Sequence, residues 1–223
     1  MRVRKRGLAA CLVILGVTFS AWGASFRETP PVAWAYTLRG GELLLGTGLS
    51  LGLGGYLSSS LEAAFGVMNG LQAGVSVAHV GLAQQSVYWT LGVKGRLPLA
   101  PDLQLGFPLG LSFGEEHGHG TLFRGVTGGV VLSLAQGPLA AHGQAELWLT
   151  RYGLFLLLSG GLDYDLGPAL RVGAQAQLPL PGLVPSLSAT AWLRPLPFLD
   201  IRLALHPLAL ALEGTVHLRL KLF

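Results

Sequence analysis

Charge is scarce in this chain. Lysine, arginine, aspartate and glutamate make up 12% of its 223 residues, about half the roughly 25% of an average soluble domain. That is too little to cover an ordinary water-facing surface. Cysteine occurs once, at Cys11, which excludes disulfides and multi-thiolate metal sites. Asparagine also occurs once, at Asn69. Long helices are disfavoured by 33 glycines and 13 prolines, which cost about 1 and 3 kcal/mol each in a helix interior. The formal charge of +4 lies partly in the first six residues and is no footprint for nucleic acid, so none is expected as a partner.

The opening MRVRKR runs into the apolar stretch Gly7 to Phe19. That stretch is about a dozen residues long, short of the ~17–25 that a spanning helix needs. Basic residues, a short apolar core, then Ala21-Trp22-Gly23 with small residues at −3 and −1, read as a secretory signal cleaved after Gly23. Leu8-Ala9-Ala10-Cys11 spells a lipoprotein-like box, but it precedes the apolar run, so no lipid attachment is read from it. The expected division is residues 1–23 as signal, 24–40 as an N-terminal periplasmic segment or extra strand, and 41–223 as one repeating unit.

That unit alternates with period two, the mark of strands whose faces meet different environments. Leu43, Leu45, Leu49, Leu51 and Leu53 oppose Glu42, Gly46, Gly48, Ser50 and Gly52. Val87, Trp89, Leu91, Val93 and Leu97 oppose Tyr88, Thr90, Gly92, Lys94 and Arg96. The last strand, read from Leu208 to Phe223, sets Val216, Leu218, Leu220 and Leu222 against Thr215, His217, Arg219 and Lys221. Turns are marked at Asn69-Gly70, where both residues tolerate positive φ, at Gln136-Gly137-Pro138, at Asp165 to Pro168 and at His206-Pro207. About twelve strands result, within a range of ten to fourteen because Val32 to Leu38 also alternates.

The apolar rows carry essentially no charge. The opposite rows are mostly Gly, Ala, Ser and Gln, with Glu42, Glu62, Lys94, Arg96, Glu146, Arg171, Arg202, Glu213, Arg219 and Lys221 among them. A soluble sandwich would need far more Lys and Glu outside; lipid outside and a polar lumen inside explain both rows. Strands of ~10 residues match the ~9–11 that cross a bilayer at a tilt. The predicted fold is all-β: an antiparallel up-and-down transmembrane β-barrel, with the bilayer as its first partner. By these features and its terminal Phe223, the chain resembles the bacterial outer-membrane β-barrel proteins. The resemblance implies a Gram-negative-type envelope, an outer-membrane location and insertion by an outer-membrane assembly machinery that reads Phe223. One departure is that Phe223 is out of phase with Leu218, Leu220 and Leu222.

Chemistry is sparse. The resemblance brings to mind barrel lipid hydrolases with Ser, His and Asn on the outer wall, but the single asparagine sits in a turn. No Asp–His pair stands together in the sequence. His142 and Glu146 share a face at about 13 Å along a strand, too far for contact. Glu115, Glu116, His117 and His119 offer metal-type side chains in a Gly-spaced polar loop, Gly114 to Thr121, which reads as solvated; no metal or cofactor is expected. Lys94, Arg96, Arg171, Arg219 and Lys221 fall at one mouth if both chain ends are periplasmic, and would form an anion-attracting ring unless they pair with lumen carboxylates. The sequence therefore predicts a narrow passive pore for small, anion-preferred solutes. A non-conducting structural or anchoring barrel is the alternative, and a barrel-embedded lipid hydrolase comes third.

Overall fold

A computed structural model describes residues 31–52, 57–80, 86–116, 119–150, 153–181 and 185–223. The signal reading, Leu53 and His117 lie outside these. Twelve strands run in order: β1 Glu42–Gly52, β2 Leu57–Met68, β3 Leu71–Val80, β4 Ser86–Pro98, β5 Leu103–Glu116, β6 His119–Gln136, β7 Leu139–Thr150, β8 Gly153–Gly167, β9 Leu170–Leu180, β10 Ser186–Leu196, β11 Leu199–His206 and β12 Ala211–Lys221. Each pairs antiparallel with its neighbours in sequence, and β1 pairs with β12 from Glu42↔Lys221 to Gly52↔Ala211, closing the barrel. Closure leaves no edge, so ladder N–H and C=O groups find partners within the barrel where lipid offers none.

Period two decides which way each side chain points. Leu45, Leu49 and Leu51 on β1, Leu91 and Val93 on β4 and Leu203 and Leu205 on β11 are all well exposed on the outer wall. A protein in water would hide this much leucine; one in lipid is solvated by it. The alternation of Val32 to Leu38 does not add a thirteenth strand, because these residues leave the ladder and enter the lumen.

Local differences from the sequence reading have local causes. At Asn69-Gly70 only Gly70 takes positive φ, 87°, and a bulge lies between Gly66 and Met68. Asn69 instead turns its Oδ1 to accept the Gly40 N–H at 3.1 Å. Asp165 is a strand residue rather than a turn residue, paired with Arg171. Leu208 to Leu210 belong to the turn before β12, with Leu210 at φ 47°. The polar stretch from Gly114 is strand as far as Glu116, and strand resumes at His119. Finally, β12 ends at Lys221, so Phe223 is free of the strand's alternation. Its ring lies 6.3 Å from that of Phe65, a residue of the outer row, which removes the phase conflict.

Candidate functional site: a lumen divided in two

The start of β1, the end of β12 and the turns β2–β3, β4–β5, β6–β7, β8–β9 and β10–β11 sit at one end of the barrel, here called proximal. Residues 31–41 run as irregular chain through the lumen to that end, lying against β2 to β8. Gly41 N–H donates to the Gly66 carbonyl at 2.9 Å, and Leu38 N–H donates to the Gln72 amide oxygen at 3.0 Å. Deeper in, Lys94 Nζ donates to the Trp34 carbonyl at 3.3 Å, and Ala35 N–H to Ser133 Oγ at 3.2 Å. The Trp34 ring lies parallel to His142, centroids 5.0 Å apart, and Tyr36 meets the same imidazole edge-on at 6.3 Å.

The wall makes room for this segment by omitting side chains. A Cβ on Gly106 would come within 2.9 Å of Ala35 Cα, one on Gly161 within 2.6 Å of the Trp34 ring, and one on Gly66 would collide with the Arg39 carbonyl. The result is a dry proximal half: Ala35 is 0% and Leu38 1% exposed, with Val131 and Ala204 equally closed off.

Across the lumen from the segment, the wall of β8 to β12 carries ion pairs. Arg194 contacts Asp200 at 2.5 and 2.9 Å, Arg219 reaches the same carboxylate at 3.8 Å, and Arg171 grips Asp165 at 2.6 and 3.2 Å. The remaining sequence candidates are distributed as follows. Glu42 accepts the Arg39 N–H at 2.9 Å, Arg96 is half-buried with an Nε that has no hydrogen-bond partner, and Lys221 is exposed at the proximal rim. Glu62 is joined to His217 at 2.6 Å. Glu213 is held by Arg202 at 2.5 Å and by His206 at 3.5 Å, and Glu146 accepts from the Gln144 amide at 2.9 Å. Cations and carboxylates at the proximal end are thus largely interlocked rather than ranged as an unpaired ring.

Above the segment lies a cavity of about 400 Å³. Val32, Ala33 and Trp34 form its floor; Ser159, Gln144, Gln175 and Gln177 form one wall, and Glu62, Arg202, Glu213 and His217 the other. Arg202 also lies over the Trp192 ring at 5.6 Å. The charges of the second wall are paired with one another, and together with the amides and hydroxyls of the first they make the chamber polar.

Strand register also produces a cluster that linear reading missed. His142 Nδ1 is 2.8 Å from Ser133 Oγ on β6, and its Nε2 is 3.3 Å from Asp163 on β8. The absence of an Asp–His pair in the sequence is therefore corrected in three dimensions: Ser133↔His142 is a direct cross-strand pair, and His142 lies opposite Gly161, two residues from Asp163. The order is that of a nucleophile, base and acid. Yet Ser133 is 0% exposed and its oxygen already accepts the Ala35 N–H, so the cluster serves to seat the segment. Among the described residues no group of histidines and carboxylates is assembled that could hold a metal.

No family model and no curated protein matches the chain by sequence. Solved structures do match by shape. The KdgM porin, also solved with oligogalacturonate, gives a TM-score of 0.61 at 9% identity over 79% of this chain and 97% of that one. The NanC porin gives 0.57 at 13% identity, over 81% and 99%. The translocator domain of the autotransporter NalP from Neisseria meningitidis gives 0.51 at 12% identity, over 96% of each chain. At such identities the likeness is one of fold, and the fold is the closed β-barrel of bacterial outer-membrane proteins.

Proposed function

We propose that this barrel is a narrow outer-membrane channel for small polar solutes, with a preference for anions set at its proximal mouth. The observation that carries the reading is the polar cavity inside a wall whose outer face is made for lipid; a barrel needed only as a wall has no use for a hydrophilic chamber of this size. The likeness in fold to porins supports it. The anion preference rests on an imbalance among proximal groups: Arg39, Lys94, Arg96, Arg171, Arg194, Arg219 and Lys221 outnumber Glu42, Asp102, Asp163, Asp165 and Asp200, so the summed field leans positive there even with most charges paired.

The test is conductance and reversal potential in a planar bilayer, for the wild type, for Arg219→Glu with Lys221→Glu, and for His142→Ala, which removes the ring beneath Trp34. Discrete steps whose anion preference falls in the double variant support the channel and its selectivity. A folded barrel that gives no steps in the wild type or in His142→Ala refutes it. A specific observation favours a second reading, a non-conducting structural barrel: the proximal half of the lumen is filled. That reading requires solute to stay excluded in every variant.

A further inference from the structure

We infer that residues 31–41 are a gate: a plug that closes the proximal half of the lumen and leaves it, with the barrel intact, to open the channel. The inference rests on the channel reading above and adds the device that controls it.

The plug is held by contacts that can be made and broken without touching the barrel ladder. Its amides at Ala35, Leu38, Arg39 and Gly40 are each received by a side chain, respectively Ser133, Gln72, Glu42 and Asn69. A strand that belonged to the wall would give these amides to backbone carbonyls. Side-chain acceptors pair equally well with water once a lumen floods, so withdrawal of the plug strands no donor.

Its seat is centred on one residue. His142 carries Trp34 on its face and Tyr36 at its edge, is hydrogen-bonded to Ser133 through Nδ1, and holds Nε2 3.3 Å from Asp163 without a hydrogen bond. Ser133 in turn takes the Ala35 N–H, so ring stacking and backbone docking depend on the same imidazole.

The plugged state also carries stored cost. Trp34 adopts φ 52°, a conformation a bulky residue rarely takes unless its surroundings impose it. Thr37 Oγ1, Arg96 Nε and Asp163 Oδ1 are buried without a hydrogen-bond partner; water entering an unplugged lumen would supply one to each. Strain and unmet polar groups on the closed side, set against apolar burial of Ala35 and Leu38, describe two states of comparable stability rather than one rigid filling.

Gly106 and Ala35 provide the test. A Cβ built on Gly106 lies 3.4 Å from Ala35 Cβ and 2.9 Å from Ala35 Cα, so a disulfide with its ~3.5–4.5 Å Cβ separation forms once the segment shifts by a few tenths of an ångström. The protein with Ala35→Cys and Gly106→Cys, carrying Cys11→Ser so that no third thiol competes, is oxidised, inserted in a planar bilayer and then reduced in place. Heat-modifiable gel mobility confirms that each form is a folded barrel. Oxidation is expected to abolish conductance steps, reduction to restore them, and His142→Ala to raise the open fraction at least tenfold over wild type. An oxidised form that conducts like the reduced one overturns the gate and leaves the channel standing. Failure of every form to conduct, His142→Ala included, overturns the channel itself and the gate with it.

Discussion

Replacing Asp200 with asparagine should destabilise this barrel more than any other single loss of lumen charge. Arg194 and Asp200 have side chains only 1% and 5% exposed, and Arg219 stands 3.8 Å from the same carboxylate. Asp200→Asn keeps the shape but withdraws the negative charge from between two guanidiniums that water reaches poorly. Breaking a buried pair from one side costs about 3–5 kcal/mol. The control is Glu213→Gln, which removes the carboxylate facing Arg202. There the side chains are 18% and 29% exposed and border the cavity, so water replaces the lost partner and the cost is about 0–1 kcal/mol. With a urea slope of ~2–3 kcal/mol per M, the first change lowers the midpoint by roughly 1–2 M and the second by under ~0.5 M. The assay is reversible urea titration of protein in lipid vesicles, followed by tryptophan emission and by gel mobility. A third variant, Arg194→Met with Asp200→Leu, should move the midpoint back toward wild type, since an apolar replacement removes both desolvated charges together. Equal midpoint shifts for Asp200→Asn and Glu213→Gln would refute the view that burial sets the worth of these pairs.

Three further outcomes are expected. Leu91→Arg, on the outer row near the middle of β4, should cost about 2–4 kcal/mol in equilibrium unfolding and Leu97→Arg, near the proximal end, about 0–1 kcal/mol; equal costs would contradict a lipid-facing outer row. Deletion of Phe223, whose residue is 81% exposed and whose ring lies 6.3 Å from that of Phe65, should cost under about 1.5 kcal/mol in stability while sharply lowering the yield of assembled barrel in cells. A stability loss of several kcal/mol with normal assembly would reverse the assignment of Phe223 as an insertion signal. Gly66→Ala places a methyl against the Arg39 carbonyl and should raise conductance, with an unfolding midpoint within ~0.5 M of wild type.

The wall was legible because its determinant is local. Lipid outside and a polar lumen inside impose the same alternation on every strand, so Leu43 to Leu51 or Val87 to Leu97 can be assigned a face without knowing their neighbours. Closure, strand number and facing direction follow from repetition. The lumen was not legible because its contacts join strands far apart in sequence. Ser133, His142 and Asp163 become neighbours only once β6, β7 and β8 are registered, and the partner of Lys94 is a backbone carbonyl 60 residues away. The plug itself mimicked a strand: Val32 to Leu38 alternates because its two sides meet different walls of the lumen. One signal was present. Trp34 and Tyr36 precede β1 in a stretch that is too apolar for a solvated linker, while Gly66, Gly106 and Gly161 leave gaps in the inner rows that correspond to nothing in the wall.

The separation of wall from plug also decides how far the two can be perturbed independently. The β1–β12 seam that closes the barrel begins at Glu42, immediately after the plug ends, and no ladder bond between strands passes through residues 31–41. The seam therefore fixes the plug's root at the proximal end and is otherwise indifferent to where Trp34 lies. The root is tied to the seam's end by short links: Leu222 N–H donates to the Gly41 carbonyl at 2.9 Å, the Glu42 N–H donates to the Arg39 carbonyl at 3.1 Å, and the Arg39 N–H donates to the Glu42 carboxylate at 2.9 Å. Motion of residues 31–38 can leave these in place. A barrel in lipid cannot open its seam without exposing unpaired peptide groups, each at a cost of several kcal/mol. A plug that trades side-chain acceptors for water exposes none. Any conformational change this molecule makes on a functional timescale is accordingly expected in the lumen, among residues 31–38, while Gly41 stays held through its N–H and its carbonyl.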